Sequence, residues 1–112
     1  MGGADTVYID AAGGTARVGG NESLYRRLLE KFESSVDMDG FDAAISSKNY
    51  EEAGKIVHTA KGVAGNLSLI AFFDASVVLM EQLRGGGVPN DGDVDLFRRL
   101  YAETKQAVND YL

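Results

Sequence analysis

Apolar residues return every three or four positions through most of this 112-residue chain. No segment sustains the two-residue alternation of a half-buried strand between hairpin turns, so the pattern commits the chain to helices. Leu24, Tyr25, Leu28, Leu29 and Phe32 mark a first long helix, with Asn21 as its cap and Glu22 in its first turn. A shorter periodic piece between Asp39 and Ser47 carries Phe41, Ala44 and Ile45. Asn49 followed by Glu52 resembles a capping box, and Glu51 and Glu52 suit the positive end of the helix dipole. A second long helix is therefore predicted from Tyr50 to Asn66 or Leu67. Ser68 is expected to cap a third, from Leu69 to Arg84, lined by Leu69, Phe73, Val77, Met80 and Leu83. Val94, Phe97, Leu100, Tyr101, Val108 and Tyr111 mark the last.

The breaks fall between these stripes. The single proline, Pro89, lies in a glycine-rich stretch that predicts a loop over 85–92 between the last two helices. Residues 1–20 contain six glycines and read as a partly flexible lead-in, with a short helical turn around Tyr8 to Ala12. Each helix has one apolar face and needs neighbours. The expected fold is all-α: one domain spanning 1–112, an antiparallel up-down-up-down four-helix bundle with a short N-terminal helical segment.

Composition narrows the function. Without cysteine there is no disulfide, thiolate nucleophile or thiolate-bound metal centre, and a reducing, cytoplasmic setting is the expected one. A formal charge of -6, with the basic residues scattered, argues against nucleic acid and anionic lipid as partners. No apolar run approaches the ~20 residues needed to span a bilayer, so no membrane insertion is expected. The expected state is a monomer. A lone histidine without paired Glu-x-x-His segments supplies no haem or dinuclear metal site, so the apolar stripes read as core.

That histidine, His58, stands in Val57-His58-Thr59-Ala60-Lys61-Gly62-Val63-Ala64-Gly65-Asn66. At ~100° per residue from Ile56, the residues Ala53, Val57, Ala60, Ala64 and Leu67 cluster within roughly 0° to 100°, whereas His58 falls near 200°. Gly54, Lys61, Gly65 and Gly62 surround it at about 160°, 140°, 180° and 240° on the same projection. Three glycines on one face cost a helix roughly 3 kcal/mol relative to alanine, which is understandable if bulk must stay clear of the imidazole. A neutral imidazole can attack phosphorus through its unprotonated nitrogen, and Lys61 can set an ammonium beside the phosphoryl oxygens. The chain has no nucleotide-binding glycine loop and no compact carboxylate cluster on this face. Magnesium and its carboxylates would then belong to a partner, with no cofactor bound by this chain.

The stretch from His58 to Leu67 resembles the His-x-x-Lys-Gly pattern of the histidine-containing phosphotransfer (HPt) domains of bacterial phosphorelays. The likeness extends to Ile9-Asp10, to Ala16-Arg17-Val18-Gly19-Gly20-Asn21, and to the run from Leu24 to Phe32. It covers the chain from about Val7 to its end. This resemblance implies that His58 takes a phosphoryl group from the phosphoaspartate of one receiver domain and passes it to another, in response regulators or a hybrid histidine kinase. It implies that Lys61 steadies the phosphohistidine and that Gly62 permits approach, with Gly54 and Gly65 keeping the docking face low. Autonomous kinase activity is not expected. The family usually has a small pair where this chain has Ser68-Leu69. Family members also place a polar side chain from the next helix beside the histidine, for which Gln82 and Ser76 are candidates by type. Alternatives are a chemotaxis-kinase-type phosphoacceptor domain, charged by an ATP-binding domain, and an adaptor that binds without phosphorylation.

Overall fold

The computed structural model describes residues 6–112, and among these the protein is all-helical, without strands. The helices are α1 (Ala11–Arg17), α2 (Glu22–Glu30), α3 (Phe32–Ser35), α4 (Met38–Ser46), α5 (Tyr50–Leu67), α6 (Ile70–Leu83) and α7 (Asp91–Tyr111), with a 3-10 turn at Arg84–Gly86. Asn21, Asn49 and Asn90 cap α2, α5 and α7, each accepting a backbone N–H three residues on, at 3.0, 3.2 and 3.1 Å. Asp10 and Asp37 do the same for α1 and α4. The expected turn around Tyr8 to Ala12 thus begins only at Ala11 and runs to Arg17, and α7 already includes Asp91 and Gly92.

The first apolar stripe is not one helix. It breaks at Lys31, whose carbonyl accepts from the hydroxyls of Ser34 and Ser35 at 3.2 and 2.6 Å. The chain then extends at Val36, which is buried, before α4 starts. Competition of serine hydroxyls for backbone carbonyls is a known way to shorten a helix.

The core divides by size. Tyr25, Phe32, Phe41, Phe72 and Phe97 are fully buried, and rings pack at 4.8 Å for Phe41–Phe97, 5.0 Å for Phe72–Phe97 and 5.8 Å for Phe32–Phe72. Helix α5 answers with small side chains, Ala53, Val57, Ala60 and Ala64, all at 0% exposure. A helix with a small buried face lets its neighbours come close while its opposite face stays on the surface. That is how α5 packs chiefly against α4 and α6 and still presents His58.

Ser68 does not cap α6. It ends α5 in the left-handed region, at φ 57° and ψ 44°, and no side chain caps α6 at Leu69. The freed groups find partners far along the chain. Asp10 N–H donates to the Ser68 carbonyl at 2.9 Å, Ala71 N–H donates to the Val7 carbonyl at 3.0 Å, and the Tyr25 hydroxyl donates to the Leu67 carbonyl at 2.6 Å. Burying those carbonyls unpaired would cost about 1–3 kcal/mol each. Gly14 is what lets α1 reach this corner, because a β-carbon there would overlap the Tyr25 ring.

Candidate functional site

His58 lies midway along α5 and is exposed. It lines an open depression of about 650 Å³ together with Glu51, Gly54, Lys55 and Thr59 of α5, Met80 and Leu83 of α6, and Arg84, Gly85 and Gly86 of the 3-10 turn. Met80 and Leu83 give it an apolar floor. Lys55 and Arg84 bring two cations to its lining, with Glu51 as the lining carboxylate and Glu81 paired to Arg84 at 3.1 Å. Such a site offers cations that can turn to an arriving anion and remains open to a macromolecule.

The glycine-rich connection shapes one wall. Gly85 and Gly86 take positive φ, 67° and 81°, which turns the chain sharply after Arg84 and lays the 3-10 turn against α5. Gly87 has no alternative, since a β-carbon would overlap the Gln82 carbonyl oxygen. The sequence marks this stretch only as a loop. Its position beside His58 follows from α6 ending where it does.

The three glycines around His58 separate into different roles. Gly54 lines the depression but is buried, and a β-carbon there would stand at an ordinary contact distance, 3.7 Å, from Cβ of Leu83, so it also serves the α5–α6 contact. Gly65 is half-buried, and a β-carbon there would stand 3.3 Å from the Phe73 ring. Only Gly62, one turn after His58, faces open space, with nothing within 4 Å of its β-carbon position. The helical projection puts all three on one side; the position of α6 decides which of them it covers.

Lys61 is half-buried one turn after His58 and is not among the residues lining the depression. Lys55, one turn before, is exposed and lines it. On a helix, positions three apart place their Cβ atoms about 5–6 Å from each other, so both lysines flank the imidazole along the α5 surface.

Neither proposed imidazole partner is in place. Ser76 is fully buried, and its hydroxyl donates to the Phe72 carbonyl at 2.8 Å within α6. Gln82 Nε2 donates to Asp93 Oδ2 at 2.6 Å while its Oε1 accepts from the Asn90 N–H, so both ends of this amide close the connection into α7. The α6 side chains that do line the depression, Met80 and Leu83, are apolar.

Among the described residues no group of three or more His, Asp or Glu side chains is arranged to hold a metal ion, and no helix is long and apolar enough to cross a membrane. Comparison with protein-family models, with curated proteins and with solved structures gives no match.

Proposed function

We propose that this protein is a histidine phosphotransfer domain, a four-helix-bundle carrier in which α5 presents His58 to the receiver domains of a multistep phosphorelay. The observation that carries this reading is the exposed imidazole at mid-helix, in an open depression lined by Lys55 and Arg84, with Gly62 leaving the surface bare one turn away.

The chemistry is an in-line displacement. The Nε2 lone pair of His58 forms a P–N bond as the P–O bond to the receiver aspartate breaks, and the aspartate leaves as a carboxylate. The reverse step regenerates neutral imidazole when a second aspartate attacks. A loose phosphoryl transition state asks mainly for positioning and for cations around its oxygens. This chain supplies the nitrogen, the nearby cations and the clear approach. The receiver supplies magnesium and the carboxylates that bind it. Lys61 adds a point charge from the next helical turn, and its replacement by alanine is expected to slow transfer with the fold retained.

A panel of receivers, each phosphorylated on its aspartate with labelled phosphate, tests this reading in a timed transfer assay. Rapid appearance of acid-labile label on this protein from at least one receiver is the expected result. Label arriving only from ATP through a kinase's ATP-binding domain would instead make His58 the phosphoacceptor of a kinase.

A further inference from the structure

Arg84 shares the depression with His58, whereas Lys61 does not line it. We propose that Arg84 is the principal cation for a phosphoryl group on His58, released from Glu81 when the group arrives. This rests on the phosphocarrier reading and deepens it.

At rest the Arg84 Nη2 donates to Glu81 Oε2 at 3.1 Å, one turn back, with side chains 71% and 63% exposed. Exposed pairs of this kind are weakly held, because water screens them and two long side chains lose rotamer freedom. A phosphohistidine offers more: about -1.5 to -2 charges and three acceptor oxygens. A guanidinium meets that group with two parallel N–H donors, whereas an ammonium offers a single point of charge. The exchange therefore runs from Glu81 to the phosphoryl group.

The backbone holds Arg84 where this exchange is possible. It is the last residue before two positive-φ glycines, so the chain turns away beyond it and leaves its side chain exposed beside the depression. Lys55 stands on the same rim from α5, and Glu51 is the lining carboxylate. The floor beneath, Met80 and Leu83, provides no hydrogen bond to compete for the phosphoryl oxygens.

Phosphoramidate loads the site without any receiver. Its P–N bond breaks, ammonia leaves, and a P–N bond to the His58 imidazole forms, so the state of the phosphoryl group is readable even if no receiver transfers to it. The phosphorus resonance is followed against pH, and the arginine Nε–H resonances are compared before and after loading. The Arg84 Nε–H signal is expected to shift on loading. The phosphoryl titration midpoint should rise in Arg84→Gln, because loss of a cation favours the protonated form, and Arg84→Lys should restore part of the difference. Glu81→Gln should move the midpoint the other way. An Arg84→Gln protein that titrates like wild type, or a shift produced by Lys61→Ala alone, overturns the assignment, as does failure of the exposed imidazole to load. Intact Arg84 effects with no transfer from any receiver would instead remove the carrier reading and leave the phosphoryl site standing.

Discussion

A β-carbon on Gly65 would stand 3.3 Å from Cε1 of Phe73, so this glycine is fixed by the packing of α6 on α5. Gly62, three residues earlier, has no such constraint. Gly62→Ala should raise stability by about 0.5–1 kcal/mol, because alanine is the better helix former and space is available. Gly65→Val should lower it by about 1–3 kcal/mol, since a β-branched side chain would press against the half-buried Phe73 ring. Denaturant unfolding checks both. A destabilised Gly62→Ala would mean that the position is held by contacts within the fold. In the same series, Gly62→Phe should keep the fold and lose receiver binding.

Gln82 ties the end of α6 to the start of α7 through Asn90 and Asp93. Gln82→Ala is expected to lower stability by about 1–2 kcal/mol, the effect of deleting two hydrogen bonds, one partly buried and one exposed. The rate at which phosphoramidate loads His58 should stay within about twofold of wild type, a difference of only ~0.4 kcal/mol in barrier height. A large fall in loading with stability unchanged would return Gln82 to the role of imidazole partner.

Thr104 is fully buried in α7, and its hydroxyl has no hydrogen-bond partner among the described residues. Valine has nearly the same shape without the polar atom. Thr104→Val should therefore stabilise the protein by about 1 kcal/mol, the desolvation penalty of an unpaired hydroxyl. Thermal unfolding at fixed pH measures this, and a loss of stability would show that the hydroxyl is satisfied in solution.

Burial pushes the Tyr25 phenol up to about 12, with Tyr111 and Asp10 nearby adding to the rise. The native state then keeps its proton where the unfolded chain, with an ordinary value of 10.0, has lost it. The contribution is intact below pH 10 and declines as the pH climbs toward 12, by on the order of 2 kcal/mol in total. Tyr8 and Tyr101 are raised as well, the first mainly by its hydrogen bond to Glu103 and the second mainly by burial, and they act in the same direction. Stability measured from pH 8 to 12 should fall above pH 10, less steeply in Tyr25→Phe than in wild type. An equal slope in the two proteins would contradict this assignment.

Helix identity was legible because the 3.6-residue period is local, and the Asn21 and Asn49 caps could be read from the residues beside them. The end of α5 was not legible. Ser68 is a capping type, but its left-handed backbone and its neighbours' hydrogen bonds depend on Val7, Asp10 and Tyr25, some 40 to 60 positions away. The same distance problem governs the site. Periodicity places Gly54, Gly62 and Gly65 on the His58 face, whereas which of them α6 covers depends on Leu83 and Phe73. Gln82 had the right chemistry for an imidazole partner, and the competing signal was the Asn90–Asp93 cap that it joins. Arg84 had a signal too: a cation immediately before three glycines, where the backbone can turn back over the preceding helix.

On the phosphocarrier reading His58 itself carries the phosphoryl group. The most direct measurement incubates wild type and His58→Gln with the same phosphorylated receiver and follows acid-labile phosphate on each by intact mass and label. Wild type should gain one phosphoryl group, stable in base and lost in acid, and His58→Gln should gain none while remaining folded. Equal labelling of the two proteins, or no label on wild type from any receiver in the panel, would contradict the account.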